Sequence, residues 1–329
     1  MIPPELIFIS DLLAIFSIYL IINLSLNLEF GYAGVPNFGK VLTVAAGAFV
    51  VPSVTINLIA MALALDASGN NITLISMMNQ ELALNPGLGI AVYLLAGAVA
   101  VGVGAILGLV SAYPAIRLRG DYLAITLLAF GEVIRIIGIN YTPIAGGTLG
   151  ISIPDVLSFA SDDTRFMLGS LVLGGIAAAV YFVVHRFTAS PVGRLLRATR
   201  DDETALQSLG RDTTRIRIKI LVLGGMIGAL GGLLYAAYIE SVIAFGYDRL
   251  NWTFLPFVMV IVGGMANNKG ILLGTLIFVA IRKLVVYYND FFVDIVPFDI
   301  IWLDYLALGG IMLIVLLFRP QGIVPEKPQ

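Results

Sequence analysis

Glu132 and Arg135 lie three residues apart inside an otherwise apolar stretch, and they are the first place where this sequence could do chemistry. That spacing puts both side chains on one helix face. Charges in hydrocarbon are costly, so such residues face a bundle interior or a water-filled path. The pair therefore reads either as a structural ion pair or as part of a gate or pathway. Asn23, Asn27 and Asn140 are further polar groups in apolar surroundings, each able to hydrogen-bond a neighbouring helix. Arg282 and Lys283 fall short of the outer end of their apolar run; they either snorkel or pair with Asp290 or Asp294. Other chemistries are closed off. The chain has no cysteine and a single histidine, His185, which excludes thiol catalysis, thiolate metal sites and a histidine-centred triad. No G-x-x-x-x-G-K-[ST] phosphate cradle occurs, so nucleotide-driven work needs another subunit. No metal site or cofactor is expected.

The elements that must hold these groups are membrane helices. Hydrophobic residues make up 59% of the chain and charged residues 12%, about half the charged share of soluble domains. That much apolar surface requires lipid as the solvent. Apolar runs near 6–28, 40–63, 90–113, 121–140, 166–188, 216–239, 252–266, 270–288 and 301–318 predict an all-α polytopic bundle of about 8–10 transmembrane helices, one transmembrane domain over 1–329. The run 252–266 is short for a straight span and reads as a broken or re-entrant helix. The N-terminal run lacks a basic n-region and is longer than a signal-peptide core, so it is expected to be retained. Small residues at four-residue spacing (Gly104 and Gly108; Gly224, Gly228 and Gly232; Gly270 and Gly274) predict close helix contacts. Residues 34–51 and 263–280 echo each other, with Gly, Asn and Lys at the mouth of an apolar helix, which hints at duplicated halves.

Basic residues fix the expected orientation. Lys40, Arg117, Arg119, Lys269, Arg319, Lys327 and the eight basic residues from Arg186 to Lys219 are expected in inner loops; Arg165 and Arg249 are expected in outer loops. A multi-pass protein of the cell membrane follows, with its N-terminus outside and its C-terminus in the cytoplasm. Two longer outer loops, 64–89 and 141–165, could cover the mouth of a path, meet an outside partner or simply connect helices.

The longest polar interval, about 189–215, breaks this apolar pattern. Pro191 suits a first helical turn, and a second short helix is expected from about Asp202 to Leu209, closed by Gly210. Ala205, Leu206 and Leu209 would form its small apolar face. Such a segment either docks into a groove on a soluble partner or lies along the membrane as a basic loop.

Here the residues resemble a known family. E-T-A-L-Q-S-L-G at 203–210 is similar to the coupling motif of ABC importer permeases, and the surrounding S-P-V-G-R-L-L-R-A-T-R-D-D resembles the membrane subunits of branched-chain amino acid (LIV-type) importers. G-Y-A-G at 31–34, D-Y-L-A-I-T-L-L-A-F-G-E-V-I-R at 121–135, G-G-M at 263–265 with Gly270 and Gly274, and R-P-Q-G at 319–322 extend the resemblance over nearly the whole chain, closest to the M-type subunit. P-N-F-G-K at 36–40 and A-G-G at 145–147 depart from the family pattern. Permeases for urea or short amides are similar, so the solute stays open between these classes. The resemblance implies a second permease subunit, two cytoplasmic ATPase subunits docked around Asp202, Glu203, Ala205, Leu206, Leu209 and Gly210, an extracytoplasmic solute-binding protein, surrounding lipid and no nucleic acid. A self-contained secondary carrier is the rival class. It needs mid-membrane coupling-ion ligands, and the sequence displays no clear set of them.

Overall fold

In the computed structural model, residues 3–64, 71–118, 120–288 and 300–326 are described. Asp66, Arg119, Asp290, Asp294, Asp299 and Lys327 lie outside them. In chain order the helices are α1 (Pro4–Leu26), α2 (Lys40–Leu63), α3 (Asn71–Leu84), α4 (Pro86–Arg117), α5 (Gly120–Asn140), the single turn α6 (Thr142–Ala145), α7 (Asp162–Ala189), α8 (Pro191–Asp201), α9 (Glu203–Ser208), α10 (Thr213–Ile239), α11 (Leu255–Gly263), α12 (Asn268–Tyr287) and α13 (Ile300–Phe318). Among the described residues, seven helical stretches are long and apolar enough to cross a membrane: Pro4–Tyr32, α2, α4, α5, Thr164–Ala189 within α7, α10 and α12. The apolar α13 adds nineteen residues, and Leu250–Gly263 is a shorter apolar segment. The expected polytopic helical bundle is thus observed. Strands β1 (Ile151–Ser152) and β2 (Ser241–Val242) form a small antiparallel clip, with Ile151 opposite Val242.

Glycine sets the core. α10 carries Gly224, Gly225, Gly228 and Gly232 on the surface that meets α2 and α4, and all four are buried. A Cβ at Gly232 would run into the Val44 carbonyl, and one at Gly104 into the Gly225 carbonyl. Lipid offers no hydrophobic drive between helices, so close backbone approach and dispersion must hold them.

Two helices are broken, and the breaks meet. α1 runs on into a π-helical turn, Asn27–Tyr32, in which the Ala33 amide reaches back to the Leu28 carbonyl at 3.2 Å. The chain then crosses residues 33–39 and climbs back as α2. On the other side, a π-helical turn at Leu250–Phe254 leads into α11, the chain breaks at Gly264–Asn267, and α12 returns. Asn27 joins the two breaks: its Oδ1 accepts from the Ala266 amide at 3.0 Å, and its Nδ2 donates to Asn268 Oδ1 at 3.1 Å. Of the two echoing stretches, 263–280 opens at this contact, and 34–51 begins just after the π-helical turn that carries Asn27. The expected break in 252–266 is also present.

Several expectations need correction. The stretch 64–89 is not a plain loop, because α3 occupies Asn71–Leu84. Its Asn71 accepts the Ser152 amide at 3.0 Å and its Asn79 accepts the Asp155 amide at 2.9 Å, so the two long connections bind each other. Lys40 is not a loop residue. It is fully buried, as the first residue of α2. Arg117 is likewise helical: it lies in the last turn of α4, where the Leu118 amide donates to the Pro114 carbonyl at 2.7 Å.

Candidate functional site

Among the described residues, several polar regions punctuate the apolar bundle. The first is sealed. Lys40 Nζ donates to Glu29 Oε1 at 3.0 Å, to the Gly224 carbonyl at 3.1 Å and to Ser25 Oγ. Asn37 Nδ2 donates to Glu29 Oε2 at 3.0 Å, and Asn37 Oδ1 in turn accepts the Gly39 amide. Both charged side chains have zero exposure. All three ammonium protons find acceptors, and both carboxylate oxygens are used. The α10 glycine stripe makes room, for a Cβ at Gly224 would strike the Glu29 carboxylate. The pair ties the π-helical turn to the start of α2. Neither Glu29 nor the burial of Lys40 is foreseen above. The available signal is that each lies at the edge of an apolar run and only eleven residues separate them, and intramembrane charges of opposite sign tend to pair.

The second region is open. Glu132 and Arg135 do share a face of α5, and Arg135 holds Glu132 Oε1 through Nε at 2.9 Å and through Nη2. Arg249, expected in an outer loop, instead reaches Glu132 Oε2, with Nε at 3.3 Å. The segment 241–249 folds back alongside α5, where Gly138 packs close to Ala244. About a quarter of each α5 side chain and half of Arg249 remain exposed. Around them Val133, Ile136, Phe245 and Leu250 also face outward. Asn140 does not bridge helices; its Nδ2 bonds the Ile136 carbonyl of its own helix, at the exposed surface. Arg282 reaches Tyr19 Oη and Asn251 Oδ1 at 3.2 Å each, while Lys283 pairs with Asp11 at 2.5 Å.

The third region is the α8–α9 segment. Ser190 caps α8 by accepting the Val192 amide, and Asp202 caps α9 by accepting the Ala205 amide at 2.9 Å. Gly210 closes the pair of helices at φ +76°, a left-handed conformation suited to glycine. Leu206 is buried, whereas Ala205 and Leu209 are exposed, so the three do not form one buried face. Glu203 bonds Arg217 of α10 at 2.9 Å and anchors the segment to the bundle. Arg200 is the link inward. Its Nη1 donates to the Gly31 carbonyl at 2.8 Å, at the π-helical turn, and its Nη2 to Glu326 of the C-terminal tail at 2.9 Å.

At the opposite end of the bundle, Arg165 pairs with Asp155 and with Glu240, the latter at 2.8 Å, beside an open cleft of about 540 Å³ lined by Ser76, Asn79, Gln80 and Ser158. Burial pushes the Asp155 carboxyl above its ordinary range, against the opposing pull of the Leu157 amide and Arg165.

A helical membrane bundle with two facing helix breaks, a sealed ion pair, an open charged face and a polar arm suits a transport subunit. The comparisons with known proteins agree. The pattern of the family described as "Branched-chain amino acid transport system / permease component" matches residues 8–316. The chain is similar to the probable branched-chain amino acid transport permease protein LivM of Methanocaldococcus jannaschii, 40% identical over 97% of this chain and 94% of that one. It is also similar to the high-affinity LivM permeases of Salmonella typhimurium (32% identical) and Escherichia coli (31%), over 71% of this chain and 57% of each relative. No solved structure matches. The chain belongs to the branched-chain amino acid transport permease family.

Proposed function

We propose that this chain is the M-type permease of an ATP-driven importer for branched-chain amino acids. It forms the passage with a second permease subunit. Two cytoplasmic ATPases drive the pair, and an extracytoplasmic binding protein delivers the solute at the end that carries α3 and the Arg165 cleft. The α8–α9 end is cytoplasmic, with the N-terminus outside and the C-terminus inside. The basic residues Arg186, Arg194, Arg197, Arg200, Arg211 and Arg215 gathered there support that orientation. The names of the relatives support the solute class over urea or short amides.

The observation that carries the reading is Arg200. It joins the arm that a partner can grasp to the carbonyl of Gly31 beside the helix breaks. A push on α8–α9 from an ATPase is thereby passed to the broken helices, and nucleotide binding shifts a two-state equilibrium without chemistry in this chain. Asp202, Ala205, Leu209 and Gly210 make the docking surface, while Glu203 and Leu206 hold it to the bundle.

The test uses the assembled importer in liposomes. Leu209→Glu and Gly210→Trp, both on the exposed docking surface, are expected to leave membrane insertion intact and to abolish both ATPase stimulation by the loaded binding protein and leucine uptake. Normal coupled uptake by both variants would remove the docking assignment.

A further inference from the structure

The sealed and open charge groups differ in one way that bears on the solute. Glu29 and Lys40 have no exposed surface, and each of their charged atoms has a partner. Glu132, Arg135 and Arg249 lie within the membrane-spanning length of α5 or reach to it, yet all three keep exposed surface. The group comprises two guanidiniums and one carboxylate, a net charge of +1. Lipid would not tolerate this face, so it borders either a polar passage or another protein. The two halves of the group are also unequal. Arg135 grips Glu132 Oε1 through two nitrogens of one guanidinium, whereas Arg249 makes a single ion contact to Oε2, at a length beyond that of a strong charge-assisted hydrogen bond. Among the described residues, that is the only charged group Arg249 engages. Asp248, its chain neighbour, is occupied by Asn251, through the amide at 2.8 Å and Nδ2 at 2.7 Å.

We propose that a zwitterionic α-amino acid passes this point by inserting between Glu132 and Arg249, which makes Arg249 a substrate-contacting residue of the passage. Its guanidinium releases Glu132 Oε2 and takes the solute carboxylate. Glu132, still held by Arg135, takes the solute ammonium through the same Oε2. One ion contact is exchanged for two and no bond is made or broken covalently. The exchange is neutral, so no unpaired charge is created in a low-dielectric setting at any stage. Planar guanidinium geometry suits a carboxylate at two oxygens, and the branched apolar side chain of the solute meets Val133, Ile136, Phe245 and Leu250. An amide without a carboxylate, such as urea, offers nothing for Arg249 to exchange with. The inference rests on the transport reading above, and its test is built so that the two can fail separately.

The test is ATP-driven uptake of tritiated leucine by the complete importer in liposomes, with Arg249→Lys, Arg249→Gln and Arg249→Glu. Binding-protein-stimulated ATPase activity and recovery of the second permease subunit on purification are followed in parallel. The expected result is graded. The lysine variant retains at least a third of wild-type uptake, the glutamine variant falls at least tenfold and the glutamate variant falls to background, with stimulated ATPase activity and subunit recovery within twofold of wild type. Uptake that survives Arg249→Glu would overturn the solute contact and leave the transport reading standing. Loss of the second permease subunit in parallel with uptake would assign Arg249 to the subunit interface and likewise overturn the proposal. A wild-type complex that accumulates no leucine would sink the transport reading itself, and the proposed solute with it.

Discussion

Two groups of charges sit within the membrane span of this protein, and their surroundings set them different tasks. Glu29 and Lys40 lie where α1, α2 and α10 converge, with every polar atom engaged and no exposed surface. Glu132, Arg135 and Arg249 lie on one side of α5, with a quarter to a half of each side chain uncovered. A charge pair in low dielectric can be held only if its desolvation is offset by excellent geometry and extra hydrogen bonds. The sealed pair meets that condition and pins a bent helix. The open group meets it only in part, which leaves capacity for something else to complete it. Burial together with full satisfaction indicates architecture; burial with a loose contact at a surface indicates a place where a ligand or partner acts.

The sharpest way to break this comparison is Lys40→Met. It strands the Glu29 carboxylate inside the bundle, and the expected cost is about 3–5 kcal/mol, read as a large fall in thermal midpoint of the detergent-purified protein. Adding Glu29→Met removes the orphaned charge, and the double variant is expected to recover most of the loss. If Lys40→Met unfolds at the wild-type temperature, the sealed pair is not a structural pin. The open group should respond in the opposite manner. Arg249→Gln leaves Glu132 in the grip of Arg135, so the same melting assay should change by about 1 kcal/mol or less. A loss as large as that of Lys40→Met would erase the distinction between the two groups.

Asp155 supplies a third, smaller contrast, at the end remote from α8. Burial is the main cause of its raised pKa, so the folded state binds this proton more tightly than the unfolded chain does. The contribution to stability is therefore complete below the ordinary carboxylate value and is lost as pH rises through the elevated one. Asp155→Asn is expected to flatten that part of the stability–pH curve. An identical curve in wild type and variant would show that Arg165 fully compensates the buried carboxylate.

Much of this was legible along the chain. Apolar run length reports spanning helices directly, because the hydrocarbon thickness and the helical rise fix how many residues are needed. Runs near 40–63 and 121–140 coincide with α2 and α5 almost to the residue. The caps of the α8–α9 arm were also legible, since Asp202 and Gly210 work through local backbone geometry. α3 was missed because Asn, Gln and Ser interrupt its short sequence and dilute the apolar density that hydropathy detects; it is held by Leu74, Ile75, Met78 and Leu82, buried with Ile56, Ile59 and Val92, and by Asn71 and Asn79 binding the segment 152–155.

The sequence by itself determined the solvent, the class of fold, the number of spans to within one or two and the position of the arm. Each of these depends on local composition or on contacts a few residues away. Only the tertiary structure decided which charges are sealed and which stay open. Lys40 seemed a loop residue until Ser25, Glu29 and the Gly224 carbonyl surrounded it, and Arg249 seemed a surface cation until the chain folded back onto α5. The energy of a charge depends on its dielectric surroundings and its partners, and these include groups remote in the chain, the Gly224 carbonyl for Lys40 and Glu132 for Arg249.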